Sequence, residues 1–122
     1  MSIEFSPDKP IYQQLIDRIM GDIIRGNLKS GEKLPSVREY AVEAGVNANT
    51  MQRVYKELEQ MEITETRRGQ GSFVTENEER IAALRHEMKE QLVTTFLQSV
   101  EAFGFTRDEM VKVLMERSGS DD

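Results

Sequence analysis

Apolar residues recur every four positions near the start of the chain, at Ile11, Leu15, Ile19 and Ile23, with Tyr12, Ile16, Met20 and Ile24 beside them. At about 100° per residue this spacing predicts a helix with a wide apolar stripe. The helix opens at Pro10, which is tolerated at a first helical position because no N–H is needed there. It closes near Arg25, ahead of Gly26 and Asn27. The stripe is read as structural, packing behind two later helices. Ile3-Glu4-Phe5 alternates and predicts a short extended stretch before it. Residues 28–34 predict a loop with a very short strand near Lys33, closed by Pro35, which disfavours helix for the residue before it.

The next apolar positions come in a shorter group. Ser36 followed by Glu39 is a capping box, in which two side chains satisfy the loose backbone N–H groups of a helix start. Tyr40, Ala41 and Ala44, with Val37, form the buried face, and Gly45 ends the helix. Asn47 is a good N-cap for another. Two helices so joined across about three residues have the spacing of a helix-turn-helix. On the second, Met51, Val54, Tyr55, Leu58 and Met61 share one side, and Asn49, Gln52, Arg53, Lys56 and Gln60 share the other. The acids Glu57, Glu59 and Glu62 fall in the C-terminal half. Amides pair bidentately with adenine, and arginine with guanine or phosphate. By composition alone this is an ordinary solvated face, and only the hairpin after it changes that reading.

Residues 63–67 and 72–75 predict paired strands, rich in Thr, Ile, Phe and Val, around a positive-φ turn at Gly69-Gln70-Gly71. Ile63 reads as buried, yet Glu65 and Arg67 share its parity, as expected of a wing that projects into solvent. Arg67 and Arg68 flank the turn, within reach of phosphates or a minor groove. Alone, this is a hairpin kept soluble by two arginines. Beside the helix pair, it is a second DNA contact.

From Thr75 the pattern shifts. Glu76, Glu78 and Glu79 suit a helix start, with Thr75 or Asn77 as cap. Ile81, Leu84, Met88, Leu92, Phe96 and Ser99 mark one face to about Ala102, widened by Val93, Leu97 and Val100. Phe103-Gly104-Phe105 breaks the helix. A second capping box, Thr106 with Glu109, starts a short helix carrying Met110, Val111, Val113, Leu114 and Met115. Residues 118–122 form a polar tail. Two helices cannot bury so much apolar surface within one chain, so the surplus points to a second copy. An antiparallel helical hairpin packed on its symmetry mate is the simplest closed arrangement. The other arrangement is packing back onto the preceding domain.

Charge narrows this picture. The 122 residues carry a net charge of −6, unusual for a nucleic-acid binder. Residues 1–75 hold 10 basic and 11 acidic side chains, and residues 76–122 hold 6 and 11, so the acidity lies mainly outside the helix-turn-helix. Within that region Lys33, Arg38, Arg53, Lys56, Arg67 and Arg68 are expected to share one surface. There are no cysteines, hence no disulfide and no thiolate metal site. No signal peptide and no apolar run of about 18 residues occurs, which predicts a cytoplasmic protein without a membrane span. His86 is the only histidine, and alone it makes a poor metal site. No nucleophile triad, P-loop or dinucleotide fingerprint is present. No enzyme, metal or cofactor is expected.

Leu34-Pro35-Ser36-Val37-Arg38, the turn at residues 47–50, and Arg68-Gly69-Gln70-Gly71-Ser72-Phe73-Val74 together resemble the winged helix-turn-helix of GntR-family bacterial transcription regulators. The resemblance covers roughly residues 10–74. Many members carry Ser-Arg just before the second helix, where this chain has Asn47-Ala48. Asn-x-Asn-Thr is the form typical of the small YtrA-type branch, so base preference does not transfer from the wider family. In the family the arginine matching Arg38 contacts DNA, against a surface salt bridge to Glu39 or Glu43. The family also implies repression of a nearby operon.

The expected fold is mainly α with a small β-hairpin. It comprises a winged helix-turn-helix domain over residues 1–75 and a two-helix dimerisation or effector arm over residues 76–122. The expected function is a regulator that binds double-stranded DNA at an inverted-repeat operator as a homodimer. Base contacts fall to Asn49, Gln52 and Arg53, and phosphate or groove contacts to Ser36, Arg38, Thr50, Lys56, Arg68 and Gln70. Asn47, Gly69 and Gly71 complete the DNA-binding set. Leu84, Met88, Leu92, Phe96, Val100, Phe103, Met110 and Leu114 form the dimerisation set. Two alternatives stay open: a winged helix that binds a partner protein, and a small-molecule sensor acting through Phe96, Phe103 and Phe105. The sequence names no effector.

Overall fold

The computed structural model describes residues 3–120, so Met1, Ser2 and the last two residues of the predicted tail lie outside the described residues. The chain divides between Arg85 and His86 into two compact units.

The first unit contains α1 (Ile11–Arg25), α2 (Val37–Ala44), α3 (Ala48–Gln60), β1 (Thr64–Arg67) and β2 (Gly71–Val74), and the first turns of α4 (Glu78–Ala102). Leu15, Ile19, Met51, Val54 and Leu58 are completely covered, and α3 is packed by α1, α2 and β1. Pro10 is the N-cap of α1 and not its first helical residue. The stripe therefore begins at the first residue of the helix, and Ile11 is left exposed. Residues 3–5 form no strand, although the Ile3 N–H donates to the Ala44 carbonyl.

Both predicted caps around the turn are present. Ser36 Oγ accepts from the Glu39 N–H and Glu39 Oε1 accepts from the Ser36 N–H. Asn47 Oδ1 accepts from the Asn49 N–H at 2.7 Å. Gly45 takes a φ of 74°, left-handed backbone that glycine adopts at low cost. At the far end of α3 that role falls to Glu62, at φ 61°. Tyr55 Oη donates to the Pro35 carbonyl at 2.6 Å and its ring meets Tyr40 edge-on, which ties α3 to the start of α2. Burial pushes the Tyr55 hydroxyl well above its ordinary pKa, reinforced by Tyr40, Glu39 and Glu43.

The hairpin pairs Thr64 with Val74 and Arg67 with Gly71, antiparallel. It starts and ends one residue from the predicted limits, with the turn at residues 68–70. Ile63 is buried as expected, because its N–H closes onto the Leu58 carbonyl at the end of α3. The loop before α2 runs along the outer edge of β2. Gly31 and Leu34 donate to the Val74 and Ser72 carbonyls, Val74 donates to Glu32, and Lys33 bridges Phe73. The very short strand near Lys33 is this single bridge.

The boundary expected after residue 75 falls ten residues later. Asn77 is the cap of α4, its Oδ1 accepting from the Glu79 and Arg80 N–H groups, while Thr75 caps Asn77. Ser30 Oγ donates to the Thr75 carbonyl, Arg80 Nε to the Met61 carbonyl and Arg85 Nη1 to the Ile24 carbonyl. These bonds stitch the opening turns of α4 to the winged domain. Leu84 is 1% exposed in the single chain, so it is not free to meet a second copy.

The second unit holds the rest of α4 and α5 (Arg107–Ser120). Gly104 makes the break at φ 78°, and the Thr106/Glu109 capping box starts α5. The Phe105 N–H donates to the Val100 carbonyl, and Val100 is buried within the chain, a second departure from the expected dimer face. No described side chain of α5 is buried, and only Met110 is partly covered. Met110, Val113 and Leu114 share one face by their spacing, and Val111 and Met115 widen the apolar arc to more than half of the helix.

Candidate nucleic-acid interface

On α3 the separation of faces is complete. Met51, Val54, Tyr55 and Leu58 are buried, while Asn49, Gln52, Arg53, Lys56 and Gln60 are exposed and Thr50 is half-buried. Asn49, Gln52, Lys56 and Gln60 have no side-chain tether among the described residues, so their donors and acceptors are open to a ligand. Asn47 is committed to the cap through its oxygen and keeps its amide N–H groups. Ser36 Oγ likewise accepts within the capping box and stands exposed at the head of α2.

Arg38 is exposed in the first turn of α2 and makes no ion pair among the described residues, so the salt bridges to Glu39 and Glu43 do not form. Glu39 is instead turned to the Ser36 backbone N–H. That bond and the Ser36 hydroxyl hold its carboxyl below the ordinary value, with Lys33 adding a smaller pull against desolvation. Lys33 and Arg38 border one open groove beside α2, with Pro35 and Val42 in its wall.

The two wing arginines diverge. Arg67 lies over the Phe73 ring at 4.1 Å, with Nη2 3.2 Å from Glu65 and 3.7 Å from Glu76. Arg68, Gly69 and Gln70 form the exposed tip, followed by Gly71 at φ 116°. A Cβ at Gly71 would stand 3.2 Å from Lys33 Cε, so the glycine leaves room for the lysine stem along the wing.

Arg53 is held, unlike its neighbours. Its guanidinium carbon stands 3.5 Å from the centroid of the Tyr12 ring, and its Nε is 3.4 Å from Glu57 Oε1. Periodicity assigns Tyr12 to the apolar stripe and gives no sign of this contact, which joins residues far apart in the chain.

Among the described residues no three His, Cys, Asp or Glu side chains are grouped to hold a metal ion, and no helix is long and apolar enough to cross a membrane. What the first unit does offer is a short helix, a tight turn, a second helix with a free polar face, and a hairpin with a basic tip. That is a winged helix-turn-helix. Residues 11–74 match the family model of bacterial regulatory proteins, gntR family, and the chain belongs to that family. It is 41% identical over 112 residues to the uncharacterized HTH-type transcriptional regulator YhcF of Bacillus subtilis, covering 92% of this chain and 93% of YhcF. It is 37% identical to the HTH-type transcriptional repressor YtrA of the same organism, over 75% of each chain. A solved GntR family transcriptional regulator from Listeria monocytogenes superposes with a TM-score of 0.85 at 37% identity, covering 92% and 98%. The chain is thus a transcription regulator and not an enzyme, and the reading as a protein-binding winged helix without DNA is not favoured.

Proposed function

We propose that the protein is an operator-binding repressor that acts as a homodimer on double-stranded DNA. Each copy places α3 in a major groove, with Asn49 and Gln52 on base edges. Ser36, Arg38, Thr50, Lys56, Arg68 and Gln70 hold the backbone or groove walls, with the amide of Asn47 and the close approach of Gly69 and Gly71 beside them. One observation carries this reading: Asn49, Gln52 and Lys56 of α3 are exposed and untethered among the described residues, above a fully buried apolar face. The naming of YtrA as a repressor supports repression.

Dimerisation falls to the arm. Leu92, Phe96, Phe103 and Leu114 are exposed in the single chain, flanked by half-covered Met88 and Met110. Burying such a row against a second copy removes it from water. Two-fold symmetry then makes the site an inverted repeat, with half-sites about one helical turn apart. The test is selection of bound duplexes from a random pool, with the mass of the complex measured in solution. A recovered inverted repeat bound by two copies is the expected result. Recovery of no common sequence, or of a single half-site bound by one copy, would refute it.

A further inference from the structure

Tyr12 stands in the first turn of α1, half-buried, outside every residue placed on DNA above. An aliphatic residue would complete the stripe equally well. An aromatic ring adds a negatively polarised face, and Arg53 lies on it at 3.5 Å. Glu57, one turn further along α3, takes the Nε edge. The Arg53 side chain remains 56% exposed, so the other guanidinium edges are open. Tyr12 thus draws this one arginine toward α1 and Glu57 holds its Nε edge along α3, while Asn49, Gln52 and Lys56 have no such tether among the described residues.

We propose that Tyr12 is a positioning residue for DNA recognition, seating Arg53 at the α1 side of α3 as a grip on backbone phosphate and not as a reader of a base edge. This rests on the DNA-binding function proposed above. Reading guanine requires the guanidinium fork to point down at the groove floor, along the leading face of the helix. A guanidinium lying on a ring keeps its N–H donors around the ring's rim, directed to the flank. The flanks of a helix in a major groove are lined by phosphates. Stacking uses the face of the cation and leaves its edges free, and the planar fork matches phosphate oxygens. Glu57 holds the charge until a phosphate competes for it.

The test uses the full chain and its variants Tyr12→Phe, Tyr12→Leu, Arg53→Ala, Glu57→Gln and the double variant Tyr12→Leu/Arg53→Ala. Each is titrated with the selected operator and with a scrambled duplex of equal length, across a salt series. Arg53→Ala is expected to weaken both duplexes by the same factor and to flatten the salt slope by about one unit. Tyr12→Leu is expected to lose about two- to fivefold, a loss that vanishes in the Arg53→Ala background. Tyr12→Phe keeps wild-type affinity, and Glu57→Gln binds more tightly. The Arg53 side-chain protons should show an upfield ring-current shift in the wild type and Tyr12→Phe, absent in Tyr12→Leu at temperatures where its melt shows it folded. Loss on the operator alone with an unchanged salt slope makes Arg53 a base reader and overturns the assignment. So do losses at Tyr12 and Arg53 that simply multiply. A wild-type protein that binds neither duplex overturns the function itself and this assignment with it.

Discussion

Leu58 and Phe96 both lie in apolar stripes of helices, yet Leu58 is completely covered and Phe96 is 40% exposed. The contrast holds across the two units. In the first, three helices and a wing bury most of their apolar residues within the chain and leave a polar face open. In the second, most of the apolar residues, Val100 apart, are themselves open. A polar face over a sealed core suits a partner made of charges and hydrogen-bonding edges, while an open apolar row suits another apolar row. The same chain therefore carries two surfaces of opposite chemistry, and substitutions in one unit are expected to leave the other's fold in place.

The largest expected effect comes from the sealed side. Leu58→Ala should cost about 2–5 kcal/mol of stability through lost burial and a cavity, read as a lower urea midpoint at constant slope. A smaller change would mean that α1, α2 and the wing collapse onto the gap. On the open side, Phe96→Glu should keep the folded signal of the winged unit and reduce the solution mass to one copy. Operator affinity should then fall on the order of a hundredfold as two linked half-site contacts become one. An unaltered mass would place the dimer contact elsewhere.

The polar face gives the next effect. Gln52→Ala should cost about 1–3 kcal/mol on the operator and relax preference at one base pair, with little change on a scrambled duplex. Equal losses on both duplexes would move Gln52 to the phosphates.

Tyr55→Phe should cost about 1 kcal/mol by removing the bond to the Pro35 carbonyl. A pH signature accompanies the loss. Burial raises the Tyr55 hydroxyl in the folded state, so the contribution is complete below the ordinary tyrosine value of 10.0 and is lost as pH rises through the folded value. Tyr40 is raised by burial too and keeps part of the slope. The variant should therefore show a shallower, not a flat, alkaline decline in Tm. The smallest effect is at Glu62, where Glu62→Gly should stabilise by about 0.5 kcal/mol as relief of left-handed strain outweighs glycine's extra unfolded freedom.

Much of the winged unit was legible in the residues because its signals are local. A capping box is written within four positions, as at Ser36 and Glu39, and a helix stop within one, as at Gly45. The faces of α3 follow from spacing alone. The divergence of Arg67 and Arg68 was less legible, because adjacent arginines look alike until strand pairing turns one onto Phe73. Glu62 carried no signal, since nothing in a glutamate marks a left-handed residue.

The run of residues alone was enough to settle the identity of the helices, the wing and the polar stripe, since backbone geometry converts spacing directly into faces. Three matters waited on the folded chain. Leu84 shares its periodicity with Leu92, and only the bonds from Arg80 and Arg85 back to residues 61 and 24 show that its turn belongs to the winged unit. Val100 is closed off by the turn after it. Tyr12 and Arg53 meet because α1 packs on α3. Periodicity says which way a side chain points from its own axis, and packing alone supplies what stands there to meet it.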